Sequence, residues 1–242
     1  MLPILHIGPL AIQVPGLVLL LGLWLGLSLT ERHAPRYGME SKITYNLVIL
    51  SILAGVVGAR IFYVARFPDA FLSKPASIIS LNPSLLDQWG GVFTAIMVAL
   101  IYGSRMGLSF WPTLNALTPA MAVFSVALAL TQLSSGSHYG MPTNLPWGIE
   151  LWGAMRHPTQ IYELVFAGMI LFILWPSRET FKSYSPGVYF LSFLGLSAGA
   201  YIFLEAFRGD SPLLPGGIRI VQLIALIILA VSLWGIKKLE LR

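Results

Sequence analysis

The sequence contains no cysteine, so it has neither disulfides nor a thiol nucleophile of its own, and redox compartment cannot be read from it. Charge is scarce too. Asp, Glu, Lys and Arg make up 10% of the 242 residues, against roughly 25% in an ordinary soluble domain. No Lys or Arg precedes Arg32, so the first apolar run lacks the basic flank of a cleaved secretory signal and is expected to stay in the mature protein. No polar linker separates the apolar runs and no internal repeat is visible. The His and acidic residues show no compact ligand spacing, which argues against a metal site, and no cofactor is expected. The net charge of +5 is spread over loops and the C-terminus, which argues against a nucleic-acid face and for a bias toward one membrane leaflet.

What the chain has instead is hydrocarbon, with 56% hydrophobic residues. A bilayer core needs about 20 apolar residues in helical form. Seven segments meet or approach that length: residues 11–29, 45–67, 90–103, 114–133, 159–175, 188–207 and 218–236. The third is the shortest. Residues 68–88, with Pro75, Pro83 and alternating apolar positions, read as an interfacial connection. The expected fold is an all-α integral membrane protein with seven transmembrane helices, a single polytopic domain over residues 1–242.

Charge gives an orientation. With seven spans, one side carries Arg32, Arg36, Lys42, Arg105, Arg178, Lys182, Lys237, Lys238 and Arg242. The other carries Arg66, Lys74, Arg156, Arg208 and Arg219, with Arg60 inside the second span. The richer side is expected to be cytoplasmic, which puts the N-terminus out and the C-terminus in.

Most of the polar chemistry lies in residues 136–163, GSHYGMPTNLPWGIELWGAMRHPTQIYE. His138, within Gly136-Ser137-His138-Tyr139-Gly140, is the candidate base, since an imidazole is suited to taking a proton from a thiol near neutral pH. No partner for it stands nearby in sequence. His157, before Pro158, reads as a helix-entry residue, because proline suits the first helical turn. Arg60 reads as an anion site or as a side chain snorkelling to the interface. Glu163 and Glu205 sit inside apolar segments, where carboxylates pair with arginine or stay protonated. With Arg60, Arg208 and the loop they are expected to face one outward-opening cavity, or else to form structural ion pairs. Tyr102, Tyr139, Trp147, Trp152, Trp175 and Trp234 fit an aromatic belt at the headgroup level. Gly55, Gly58, Gly195 and Gly199 fit close helix packing.

Several of these pieces stand together in one known family. Gly58-Ala59-Arg60 with Tyr63, the pair Gly90-Gly91, Gly136, Tyr139-Gly140, Pro142-Thr143 and Pro146-Trp147-Gly148 occur in order. His157-Pro158-Thr159-Gln160-Ile161-Tyr162-Glu163 and Glu205-Ala206-Phe207-Arg208 follow. Over nearly its whole length the chain resembles the prolipoprotein diacylglyceryl transferases of the bacterial inner membrane. The resemblance implies transfer of diacylglyceryl from phosphatidylglycerol to the lipobox cysteine of an exported preprolipoprotein, with glycerol phosphate leaving. The partners it implies are phosphatidylglycerol, the signal peptide and lipobox, and membrane lipids, with no nucleic acid. For this chain, catalytic roles are expected for His138, Arg208, Glu163 and Glu205. Lipid binding would fall to Arg60, Gly90, Gly91, Gly136, Tyr139, Gly140, His157, Gln160 and Tyr162.

The chain also departs from that family. By register, the family's histidine before the Gly-Gly pair falls on Trp89, and its signature arginine on Ala129. The asparagine three residues later falls on Gln132, a second arginine on Tyr201, and an early tyrosine on Pro15. No arginine lies between Arg105 and Arg156. An active transferase, a non-catalytic relative binding phospholipid or lipoprotein precursor in the same cavity, and an enzyme for another lipid head group all remain open on these residues.

Overall fold

A computed structural model describes residues 4–7, 10–72, 75–79, 85–175 and 185–241. Lys74, Pro83, Arg178, Lys182 and Arg242 lie outside them. The helices are α1 (Val14–His33), α2 (Ser41–Arg66), α3 (Pro68–Leu72), α4 (Gln88–Arg105), α5 (Phe110–Ser135), α6 (Thr159–Ile173), α7 (Val188–Glu205) and α8 (Ile220–Glu240). Two short antiparallel hairpins accompany them: β1 (Ile4–Ile7) with β2 (Leu10–Gln13), and β3 (Ile149–Leu151) with β4 (Ala154–Arg156).

A helix satisfies its own backbone donors and acceptors, so long apolar runs destined for hydrocarbon fold as helices. All seven expected segments are helical. Among the described residues, five helices are long and apolar enough to cross a membrane: α1 with the turn after it, α2, α5, α7 and α8. Helix α6, with 15 residues, is apolar but shorter. The first segment begins later than expected, because residues 10–13 pair as β2 rather than opening the helix. The stretch after α2 is more ordered than a plain interfacial connection, with α3 and a 3-10 turn at Pro75–Ile79.

The chain falls into two compact units, Glu31–Thr113 and Met1–Thr30 with Leu114–Arg242. In the first, α2 packs along α4 through glycines. A Cβ on Gly58 would sit 2.2 Å from the Thr94 hydroxyl, and one on Gly90 would sit 2.3 Å from Phe62. Asp87 caps α4 by accepting the Gly90 N–H at 2.7 Å. Arg60 fastens the connecting segment onto α2. It donates to the Ile78 and Leu85 carbonyls, each at 2.7 Å, and to the Ser77 carbonyl, and lies over the Phe71 ring.

In the second unit, α1 meets α5 at small residues, with Gly22 against Ala127 and Gly26 against Ala120. Helices α5, α6 and α7 enclose a core that includes Ala122, Ile170, Tyr189, Phe193 and Leu204. Buried Asn115 of α5 accepts the Phe190 N–H at 3.2 Å, so its side chain caps the first turn of α7. Gly187, the residue before α7, offers no side chain for that purpose. Helix α8 lies along α7, where a Cβ on Gly235 would press on Leu191 at 2.8 Å. Gly195 faces Ser232 at an ordinary 3.6 Å, but Gly199 has no neighbour within 4 Å, so the close-packing expectation fails for it.

Candidate active site

The segment between α5 and α6 is built around its carbonyl groups. Gly136 and His138 both take left-handed backbone angles, φ 74° and 58°. The first costs glycine nothing, whereas the second is uncommon for a residue with a side chain. Two residues at the start of α6 hold the turn. Thr159 donates its hydroxyl to the His138 carbonyl at 2.5 Å, and Gln160 donates its amide to the Ser137 carbonyl at 2.9 Å. Both side chains are buried. Pro158 itself is the N-cap rather than part of the first turn of α6.

The loop then threads between the ends of α6 and α7. The Met141 N–H donates to the Phe207 carbonyl at 2.8 Å, and the His157 N–H donates to the Met141 carbonyl at 3.0 Å. The approach is so close at Gly140 that a Cβ there would sit 2.2 Å from the His157 oxygen. The His157 ring packs on Phe207 and Tyr162, with centroids at 5.1 and 6.3 Å. Tyr162 accepts the Trp147 indole N–H at 2.9 Å, joining the Pro-Trp-Gly turn to α6. Arg156 donates to the Leu151 and Gly140 carbonyls and lies 4.9 Å over the Tyr139 ring.

This framework brings His138 to Glu163. Imidazole Nδ1 is 3.5 Å from a carboxylate oxygen of Glu163, which is almost wholly buried. The partner that His138 lacks in the linear sequence is thus supplied by α6, one turn beyond the residues that clamp the loop. A second ionic group lies at the end of α7. Glu205, 0% exposed, meets Arg208 at 3.0 Å, and Arg208 also donates to Asp210 through Nε at 3.0 Å, with Nη2 2.9 Å from the same carboxylate oxygen. Ser211 donates to the other Glu205 oxygen. Arg219 reaches back to donate to the Arg208 carbonyl at 2.9 Å. Asp210, Ser211, Arg156 and Arg219 escape a reading of the sequence because each does its work through a loop contact that no helical spacing encodes.

A cavity of about 220 Å³ lies between α5, α6 and α7. Gln132, Glu163 and Tyr201 line it close to the loop-side ends of those helices, and Phe166, Ile170 and Phe193 line its depth. Tyr201 lies within electrostatic reach of Glu163, Glu205 and Arg208. Three positions where the chain departs from the resembled pattern, Ala129, Gln132 and Tyr201, are therefore walls of one cavity. Trp89 is 76% exposed at the start of α4.

The remaining expected site residues divide by role. Gly136, Tyr139, Gly140, His157, Gln160 and Tyr162 gather around the loop. Gly90 and Gly91 are buried at the α2–α4 contact. Arg60 belongs to the unit Glu31–Thr113, and its guanidinium is engaged by carbonyl groups there.

The profile of the prolipoprotein diacylglyceryl transferase family matches residues 3–237. A phosphatidylglycerol–prolipoprotein diacylglyceryl transferase of Bordetella avium (strain 197N) is 32% identical over 237 residues, spanning 92% of this chain and 88% of that protein. Proteins of the same name from Prochlorococcus marinus (strain NATL1A) and Clostridioides difficile (strain 630) are each 28% identical, over 96% and 88% of this chain. The chain belongs to the prolipoprotein diacylglyceryl transferase family.

Proposed function

We propose that this chain moves the diacylglyceryl group of phosphatidylglycerol onto the cysteine thiol of a preprolipoprotein. Within that family, the observation that carries the reading is the His138–Glu163 contact at the polar end of the cavity. The chain has no cysteine, so the thiol comes from the substrate. A thiol with pKa near 8.5 needs a base to become a good nucleophile at neutral pH. His138 takes the thiol proton, and Glu163 orients the ring and stabilises the imidazolium that forms. Sulfur attacks the glyceryl carbon that bears the phosphate, a C–S bond forms, and the C–O bond breaks. Its electron pair departs on glycerol phosphate, which His138 can then reprotonate.

The departing phosphate calls for a cation placed beforehand. Arg208 supplies it. Its contacts with Glu205 and Asp210 hold the guanidinium in place. The reading places the enzyme in the bacterial inner membrane, with seven crossings, the N-terminus out and the C-terminus in. The loop of residues 136–158 then faces the side on which an exported substrate arrives.

The second reading is a non-catalytic relative that holds phospholipid or lipoprotein precursor. It is favoured by the cavity walls, where no Lys or Arg stands, and by the two carboxylates that already engage Arg208. One experiment separates the two. In a bacterial strain depleted of its own transferase, expression of this chain restores lipidation of a reporter preprolipoprotein, and His138→Ala abolishes the rescue. Absence of rescue from well-expressed, membrane-inserted protein would leave the binding reading in its place.

A further inference from the structure

The polar end of the α5–α6–α7 cavity has an unusual hydrogen-bond inventory. Gln132 and Glu163 both line it and both are more than nine-tenths buried. Among the described residues, Gln132 Oε1 and Glu163 Oε2 have no hydrogen-bond partner, and Glu163 Oε1 has only the His138 Nδ1 at 3.5 Å. Buried acceptors left unpaired each cost on the order of 1–3 kcal/mol, so whatever occupies this end of the cavity has to bring donors. Three and seven residues deeper along α6, up to about 10 Å at helical rise, the lining is Phe166 and Ile170, with Phe193 of α7 beside them. The complementary ligand is an amphiphile with donors at one end and hydrocarbon at the other.

Phosphodiester and ester oxygens only accept hydrogen bonds, so they cannot meet this demand. In a phospholipid, a head-group hydroxyl or an ammonium can. Two features favour the hydroxyl. The Gln132 acceptor is a neutral amide, and Glu163 already has the His138 ring at ion-pair distance. Resting on the transferase reading above, we infer that Gln132 and Glu163 form a hydroxyl-reading subsite that selects a donor lipid by the free diol of its head-group glycerol. Selectivity for the lipid is then exercised by acceptors on α5 and α6, apart from the cation that meets the phosphate.

The test compares lipids that differ only in the head group. The purified full chain is titrated in phosphatidylcholine vesicles with acyl-labelled phosphatidylglycerol, phosphatidylethanol or phosphatidylethanolamine. Phosphatidylglycerol is expected to bind about tenfold more tightly than phosphatidylethanol, as one or two net hydrogen bonds would give. Gln132→Leu is expected to remove most of that difference while leaving phosphatidylethanol binding as it was. Equal binding of phosphatidylglycerol and phosphatidylethanol overturns the subsite, as does tighter binding of phosphatidylethanolamine. The lipid comparison uses the unsubstituted chain, so it decides the matter even if the variant does not fold. The transferase reading is scored separately. A diol preference without diacylglyceryl transfer keeps the subsite and removes the enzyme. Transfer that proceeds equally from phosphatidylethanol does the reverse.

Discussion

At the scale of single residues, His138 and Arg208 are held in contrasting ways. His138 depends on one carboxylate and a left-handed turn. Removing that carboxylate's charge with Glu163→Gln is expected to lower transfer about a hundredfold, the ordinary worth of a well-placed acid–base partner. Folded yield should be unchanged, and labelled-lipid transfer to a purified preprolipoprotein would measure the loss. Arg208 is buried between Glu205 and Asp210, and breaking a buried pair leaves an uncompensated charge worth about 3–5 kcal/mol. Arg208→Ala should therefore lower thermal stability in detergent as well as activity. Arg208→Lys cannot reproduce the fork and should restore only part of either. The sequence shows His138 and Glu163 as separate candidates. It does not show them as a pair, because they are 25 residues apart in the chain, with the β3–β4 hairpin and irregular backbone between them.

Among the elements, the helices were legible in advance and the joints between them were not. Every long apolar run is a helix because hydrocarbon leaves the backbone no other partner. The ends shift where short-range pairing competes, as at β2, which takes residues that apolarity alone would give to α1. The motif at residues 157–163 is informative about family but silent about what Thr159 and Gln160 do. Their carbonyl clamps emerge only when the loop is folded over α6. Gly140 makes the sharpest element-scale prediction. Gly140→Ala puts a methyl group 2.2 Å from the His157 oxygen, which only backbone displacement can relieve. The loop should detach from α6, with lost transfer and faster proteolysis between α5 and α6. Gly199→Ala, which meets no atom within 4 Å, should be silent in both measurements. On α2, Gly58→Leu would drive into Thr94 and is expected to reduce folded protein, seen as loss of a monodisperse peak in detergent.

For the whole molecule, the absence of cysteine becomes an experimental asset. Single cysteines at exposed Asn144 and Ser109 test orientation without background labelling. A membrane-impermeant maleimide added to intact cells stripped of their outer membrane should modify Asn144→Cys and leave Ser109→Cys untouched until the membrane is broken. The opposite pattern would invert the topology and place the loop away from any exported substrate. The two side chains that clamp the loop carry a further implication. Thr159 and Gln160 tie His138 to the same helix that bears Glu163. His138 and Glu163 thus travel as a single passenger on α6. On the proposed reaction, movement of α6 to admit a substrate from the bilayer leaves the proton-transfer pair assembled.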